Sequence, residues 1–513
     1  MFYIQNLIII FIQISILAIF ISSSGFLFRK CLINVNHTPD FEEDGLFGFI
    51  LIGFLALILN FFLPLSILNN SIFFILIFLL TLNFGYFNQN KKILLKKTFF
   101  ISLIAFVLLL HSTVNRPDAW LYHLPYSKIL NEHKIILGVS NIHSRFAHIS
   151  IFQYVSSFFY NFILFKNGIL IPIALVASFS LSFFYNEFKK NYKIKNKQIY
   201  SYLTFLILII SLYSFNRYSE YGNDAQPNLY YFILFIFLLR FFIDKKNENI
   251  FKELSLLSLF LFFMKPTYIF VSLIPLVLFL IFYKKYKIIR SKFFIFYISF
   301  LAIWLLKNVF TTGCFIYPLK QTCLDKLAWN NKNIEENILT NEAWSKGWPD
   351  LEDKSSITKS DYIKNFNWFE TWKNNHFLYV IKKILPVVIF LVFNYLLLYF
   401  TKSLKKNYLK IEYLYFFLFS LFFFTIWLIK FPVYRLGISQ INLFILLSFY
   451  LFFIKNINPS KLFKLHRYFN FLIIFVIAVV LSKNLLRIID NFDKSIMPNL
   501  YSSNIKNQSL FKI

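Results

Sequence analysis

Residues 46–66 read LFGFILIGFLALILNFFLPLS, a run without a single charged side chain. As a helix, a run of this length crosses a hydrocarbon core of about 30 Å, and in lipid a helix is one of two structures that satisfy every backbone polar group. The pattern recurs. Apolar runs fall near 3–23, 71–87, 98–111, 169–185, 199–215, 229–243, 293–310, 376–400, 413–430, 438–454 and 468–485. The stretch 253–282 is too long for one crossing between two basic loops, so it predicts two short helices turning at Met264-Lys265-Pro266-Thr267, with Lys265 in the turn and out of the lipid. Residues 149–165 are read as a partly inserted helix lying in the interface. The run at 3–23 has no basic residue ahead of it and no small-residue cleavage site, so it reads as a retained helix.

Composition agrees. Of 513 residues, 58% are hydrophobic and 15% charged, and the mean hydropathy is +0.61, which excludes a soluble domain of this size. The formal charge of +29 does not imply a nucleic-acid partner, because the cations sit in short clusters between apolar runs. Those at 88–97, 186–198, 283–292, 401–412 and 455–467 mark the cytoplasmic side, facing anionic headgroups. The fold class expected is therefore all-α: a polytopic transmembrane bundle of about 13–15 crossings with outward-facing loops. It divides into N-terminal transmembrane helices (1–97), a membrane module (98–310) with an outer loop at 112–148, an outward loop domain (311–375), C-terminal transmembrane helices (376–485) and an outer tail (486–513).

No P-loop and no G-x-G-x-x-G turn is present, and no cytoplasmic loop is long enough to hold a nucleotide. The polar machinery is external, where a donor must arrive activated and membrane-bound. The first outer loop reads RPDAWLYHLP (116–125), then GVSNIHSRF (138–146), and five of the eight histidines lie between His111 and His148. Spacings of ten, ten and five between His123, His133, His143 and His148 match no helical metal-ligand pair, so no metal set is assigned. Asp118 suits a helix cap or a general base. Tyr122, His123, Asn141, His143 and Arg145 suit headgroup contact or binding of a phosphate leaving group and its sugar. The next outer loop, RYSEYGNDAQP (217–227), contributes Arg217, Glu220 and Asp224, either a polar turn or a second acid site that a divalent ion could share.

Cys314 and Cys323 enclose eight residues on the oxidising side and form a disulfide candidate. AWSKGWPD (343–350) sets Trp344 and Trp348 beside Lys and Asp, as in a sugar-stacking platform or a membrane anchor. In KFPVYR (430–435), Arg435 is expensive at the hydrocarbon edge without a partner and is read as a lipid-phosphate contact or a snorkelling cation.

The runs PDAWLYHLP, GVSNIHSRF, WLLKNVFTTGCFIYP, AWSKGWPD and PVYRLG resemble a family of bacterial polytopic proteins of surface-polysaccharide loci, which in turn is similar to the GT-C class of membrane glycosyltransferases. The resemblance spans roughly residues 98 to 440. It implies a GT-C-like bundle in the bacterial inner membrane with a catalytic acid in its first large outer loop. It further implies a polyprenyl-phosphate sugar donor, a glycan or lipid acceptor and inverting single displacement; the residues themselves call for no cofactor beyond an optional divalent cation. Asp118 matches the acidic position and Arg435, more loosely, the donor-phosphate cation. Two departures stand: about three helices precede the Asp118 loop where the class has one, and no large soluble C-terminal domain follows. The competing expectation is a translocator, polymerase or ligase of lipid-linked glycans.

Overall fold

A computed structural model describes residues 2–34, 36–110, 118–194, 197–219, 221–244, 247–282, 291–400, 411–454 and 466–490. Its helices, in chain order, are α1 (Phe2–Leu32), α2 (Phe41–Phe62), α3 (Ile67–Asn83), α4 (Lys91–Leu110), α5 (Leu124–Glu132), α6 (Ile151–Phe158), α7 (Asn167–Asn191), α8 (Gln198–Tyr213), α9 (Ala225–Ile243) and α10 (Glu248–Met264). They continue with α11 (Leu273–Phe282), α12 (Lys292–Thr312), α13 (Ile334–Ser345), α14 (Lys359–Ile363), α15 (Phe369–Trp372), α16 (Leu378–Phe400), α17 (Ile411–Lys430), α18 (Ile438–Phe449) and α19 (His466–Asp490). Among the described residues there is no strand, only an isolated bridge between Cys314 and Cys323. Nine of the described helices are long and apolar enough to cross a membrane, and four shorter apolar ones accompany them. The chain is a multi-pass helical membrane protein.

Two compact units emerge. The first gathers the described residues within Met1–Asn186, Ser211–Asn330 and Phe475–Ile513; the second those within Glu187–Ile210 and Asn331–Ile474.

In the first unit α1 and α2 pack backbone to backbone. A Cβ on Gly25 would stand 1.8 Å from the Asp44 carbonyl oxygen, and one on Gly48 would stand 2.0 Å from that of Ile21. Only glycine permits this approach, the small-residue device by which membrane helices gain packing where lipid supplies no hydrophobic drive. It carries polar groups inward. Arg29 of α1 is salt-bridged to Glu43, Asp44 and Glu253, Arg240 reaches Glu43 at 2.9 Å, and His37 reaches Asp44 at 2.7 Å. Lys97 pairs with Glu42 at 2.7 Å. This network ties α1, α2, α4, α9 and α10 at one end of the α9–α10 pair.

The segment 253–282 divides as expected: α10 stops at Met264, Lys265 is extended (φ −155°), and Pro266 opens a short 3-10 turn before α11. The expectation for 149–165 is corrected. Only Ile151–Phe158 is helical, all eight residues are buried, and the helix packs on α2, α5 and α10, not along the interface. Ser150 and Gln153 close it with a reciprocal capping box, so the helix is an internal one, while Phe162, Ile163 and Phe165 beyond it are exposed.

In the second unit, residues 331–375 are a folded, tryptophan-rich layer. Trp368, Trp372, Trp427, Tyr362 and Tyr434 form its core with Ile438 and Ile441 of α18. Indole nitrogens of Trp372 and Trp427 donate to the Pro432 and Val433 carbonyls at 2.8 and 3.0 Å, so the bulky rings are buried without orphaned donors.

Candidate functional site

The first outer loop is anchored before it does any chemistry. Asn60 at the end of α2 donates to the His133 carbonyl (3.0 Å) and accepts through its own carbonyl from Ile135 N–H (2.8 Å). Asn131 donates to the carbonyls of Leu65 and Ser157. Gly138 N–H donates to the Phe310 carbonyl at the end of α12 (2.8 Å). The loop is thereby pinned at residues 131–138, between His123 and His143.

Within that frame the first unit gathers several of the residues singled out from the sequence. Asp118 stands half-buried at the start of the single π-helical turn Ala119–His123, which presents Tyr122 and His123 on successive positions. The His123 ring is buried, 4.2 Å from the Tyr122 ring centroid, with Tyr221 edge-on at 6.2 Å. Its Nδ1 lies 3.4 Å from the Asn223 amide nitrogen. A Cβ on Gly222 would stand 3.6 Å from His123 Nε2, so the 217–227 loop is laid over that imidazole. Tyr221 also shares a 2.9 Å hydrogen bond with Ser127, and burial pushes its phenol up to about 12.

Tyr122 is the hinge of the cluster. The Arg145 guanidinium lies 5.7 Å from its ring centroid and the His143 ring stacks at 6.5 Å. His143 Nδ1 accepts from Arg145 N–H (3.1 Å), which fixes the ring and leaves Nε2 as the proton-bearing edge of the neutral form. Partial burial, then the Arg145 charge, lowers the His143 pKa.

Two residues join the cluster that sequence reading did not assign to it. His148 faces Tyr317 with ring centroids 4.9 Å apart, and burial together with the Arg145 and Lys265 charges drives its pKa down to about 4. It is a neutral imidazole among cations. Lys265, the residue the turn keeps out of lipid, places Nζ 2.6 Å from Asp224 Oδ1. The only sequence signal for it was a lysine before proline in the middle of an apolar run.

The expected disulfide pair is bonded, with Cα atoms 3.8 Å apart. Gly313 (φ +83°) ends α12 in the left-handed conformation that releases the chain into the Cys314 loop, and that loop delivers Tyr317 to His148.

Other candidates are placed differently. Asn141 donates its amide to the Trp329 carbonyl (2.9 Å), which commits it to holding the loop. Arg217 sits half-buried in the 3-10 turn Phe215–Ser219. Glu220 lies outside the described residues. In the second unit, Trp344 is exposed with the Arg435 guanidinium 5.5 Å from its ring centroid. Trp348 packs edge-on against Tyr362 at 5.2 Å, so it belongs to the margin of the aromatic core. Between them Lys346 is buried, bonded to Glu342 at 2.7 Å and 5.0 Å from the Trp368 centroid. Among the described residues no three His, Cys, Asp or Glu side chains converge as a metal would require.

The ion network at the other end of α9 and α10 has no counterpart in the sequence reading, which assigned no role to Arg29, Glu42, Glu43 or Asp44.

No curated protein and no solved structure is detectably similar to this chain. Residues 7–442 match the family described as a domain of unknown function, DUF8201, and the chain belongs to that family.

Proposed function

We propose that the chain is a GT-C-like glycosyltransferase of the bacterial inner membrane that moves a sugar from a polyprenyl-phosphate donor to a cell-surface glycan or lipid acceptor at the outer face. The observation that carries this reading is the cluster around Tyr122, in which Arg145, His143, His123, His148 and the Asp224–Lys265 pair are assembled at one end of membrane helices. Cations and imidazoles at that level suit a phosphate leaving group, and aromatic rings suit a sugar face.

In this reading Asp118 takes the proton of the acceptor hydroxyl as its oxygen attacks the anomeric carbon, and the bond from that carbon to the lipid phosphate breaks on the opposite side. Arg145 neutralises the departing phosphate, and His143, through Nε2, holds one of its oxygens. Lys265 already neutralises Asp224, so a divalent cation there would have to displace it.

The test is transfer by purified protein in liposomes supplied with a polyprenyl-phosphate sugar and an acceptor. Asp118→Asn should lower the rate by about 100-fold or more; wild-type activity in that variant would remove Asp118 as base. The translocator reading draws on one observation, the buried charge network between membrane helices. Flipping of lipid-linked glycan without sugar transfer would favour it.

A further inference from the structure

Lys307 lies in α12, within a helix apolar enough to cross the membrane. Its side chain is 1% exposed. The ammonium donates to Asn308 Oδ1 at 2.9 Å and stands 3.9 Å from the Trp304 ring centroid, and among the described residues no carboxylate pairs with it. Trp304 in turn stacks on Phe263 of α10 at 4.8 Å. An ammonium held between an indole face and an amide oxygen is costly. A lysine serving only to reach headgroups would extend toward the near end of the helix, here its C-terminus. Lys307 folds back one turn the other way, over Trp304.

The surroundings point to an anion that brings its own hydrocarbon. The 3-10 turn Val139–Asn141 packs on α12, and in it the Ser140 hydroxyl is 3% exposed and has no hydrogen-bond partner. Beside Lys307, Leu306 is 47% exposed, an apolar surface suited to acyl or prenyl chains. The same end of α12 accepts Gly138 N–H on the Phe310 carbonyl and carries the disulfide loop, so Lys307 lies about one helical turn beneath the Arg145 loop.

We propose that Lys307 is a binding centre for the phosphate of a membrane-embedded lipid, with Ser140 as a hydroxyl donor to the same phosphate. The inference rests on the reading above that the substrate is lipid-linked, and it names the residue that receives the lipid phosphate from the membrane side. Lysine meets phosphate as a point charge, and an apolar approach excludes a fully hydrated ion.

The test measures binding, apart from transfer. Purified full-length protein in nanodiscs is titrated with a labelled polyprenyl phosphate, and with inorganic phosphate as competitor. Lys307→Met should weaken binding at least tenfold, Lys307→Arg by no more than about threefold, and millimolar inorganic phosphate should not compete. Removing an unpaired buried cation should also raise the melting temperature of the lipid-free protein. Wild-type affinity in Lys307→Met overturns the inference, as does a lowered melting temperature, which would make the lysine structural. Competition by inorganic phosphate would make the site one for a free anion and overturn the lipid assignment. Lost binding in Lys307→Met together with no sugar transfer by the wild type would support Lys307 while the glycosyltransferase reading fails; intact transfer in Lys307→Met would do the reverse.

Discussion

Lys265 Nζ lies 2.6 Å from Asp224 Oδ1, and the pair closes one end of the neighbouring helices α9 and α10, whose other end is closed by Arg240 on Glu43 and Arg29 on Glu253. Each of the two helices thus carries one charged residue to the Tyr122 cluster and one to the buried network. Asp224 and Arg240 are sixteen positions apart in one chain direction, about 24 Å along a helix.

The Asp224–Lys265 pair is partly open to solvent, at 37% and 19% side-chain exposure, so it contributes about 1 kcal/mol or less to stability. Its removal should be felt in chemistry instead. Under the proposed function, Lys265→Met is expected to reduce sugar transfer about tenfold or more, by leaving Asp224 unneutralised beside the proposed phosphate subsite, while the melting temperature moves by only a few degrees. A large drop in melting temperature with unchanged transfer would make the pair a helix-end tie and nothing else.

His148 gives the protein an acid-labile point. Its folded pKa of about 4 lies below the unfolded histidine value near 6.5. Between those two values the unfolded chain binds a proton that the folded chain does not, so stability is full above about 6.5 and falls as pH drops toward 4. Thermal unfolding of His148→Gln should therefore depend less on pH across that window than that of the wild type. Equal slopes would show that His148 is not the group being titrated.

Much of this fold is legible in the sequence, because a membrane helix is specified by a long run of similar residues and the turn at Lys265 by proline chemistry. The disulfide was legible from spacing and charge topology together. The network around Arg29 was not: its ligands come from residues 29, 37, 43, 44, 240 and 253, and nothing local distinguishes an arginine that faces headgroups from one that turns inward. The inward turn depends on Gly25 and Gly48, whose role is visible only when two backbones meet. At the site, Tyr122, His123, His143 and Arg145 were singled out by density of chemistry, whereas His148 needed the tertiary placement of Tyr317, and Lys307 was hidden inside an apolar run.

Arg29 is the member of the network whose loss should cost most. It is 5% exposed and neutralises three carboxylates, so Arg29→Met leaves buried negative charge unpaired, a change worth about 3–5 kcal/mol. Expression and melting temperature in detergent should both fall sharply. Adding Glu253→Gln in the same chain should recover part of the loss, because the uncompensated charge is then smaller. Additive damage from the two changes would argue that Arg29 acts by packing and not by charge.

The Cys314–Cys323 bond ties chemistry to topology. Disulfides persist on the oxidising side of a membrane, and this one belongs to the segment that the charge pattern places outside, so the site loop and the bond should report the same side. Engineered cysteines at the exposed positions Ile142 and Ser356 should react with an impermeant maleimide in intact cells, and one at Lys195 only after permeabilisation. The native chain should show one reactive thiol, the exposed Cys31, until reductant frees two more. Closing a loop of about ten residues is worth roughly 2–3 kcal/mol, so Cys314→Ser with Cys323→Ser should lower the melting temperature and also loosen Tyr317 from His148, with which its ring is in contact at 4.9 Å. Transfer should therefore fall more in this double variant than in a variant destabilised to the same degree at Gly25. Labelling of Lys195→Cys from outside would invert the topology, put the Tyr122 cluster in the reducing compartment and restore a nucleotide-sugar donor as the chemistry to test.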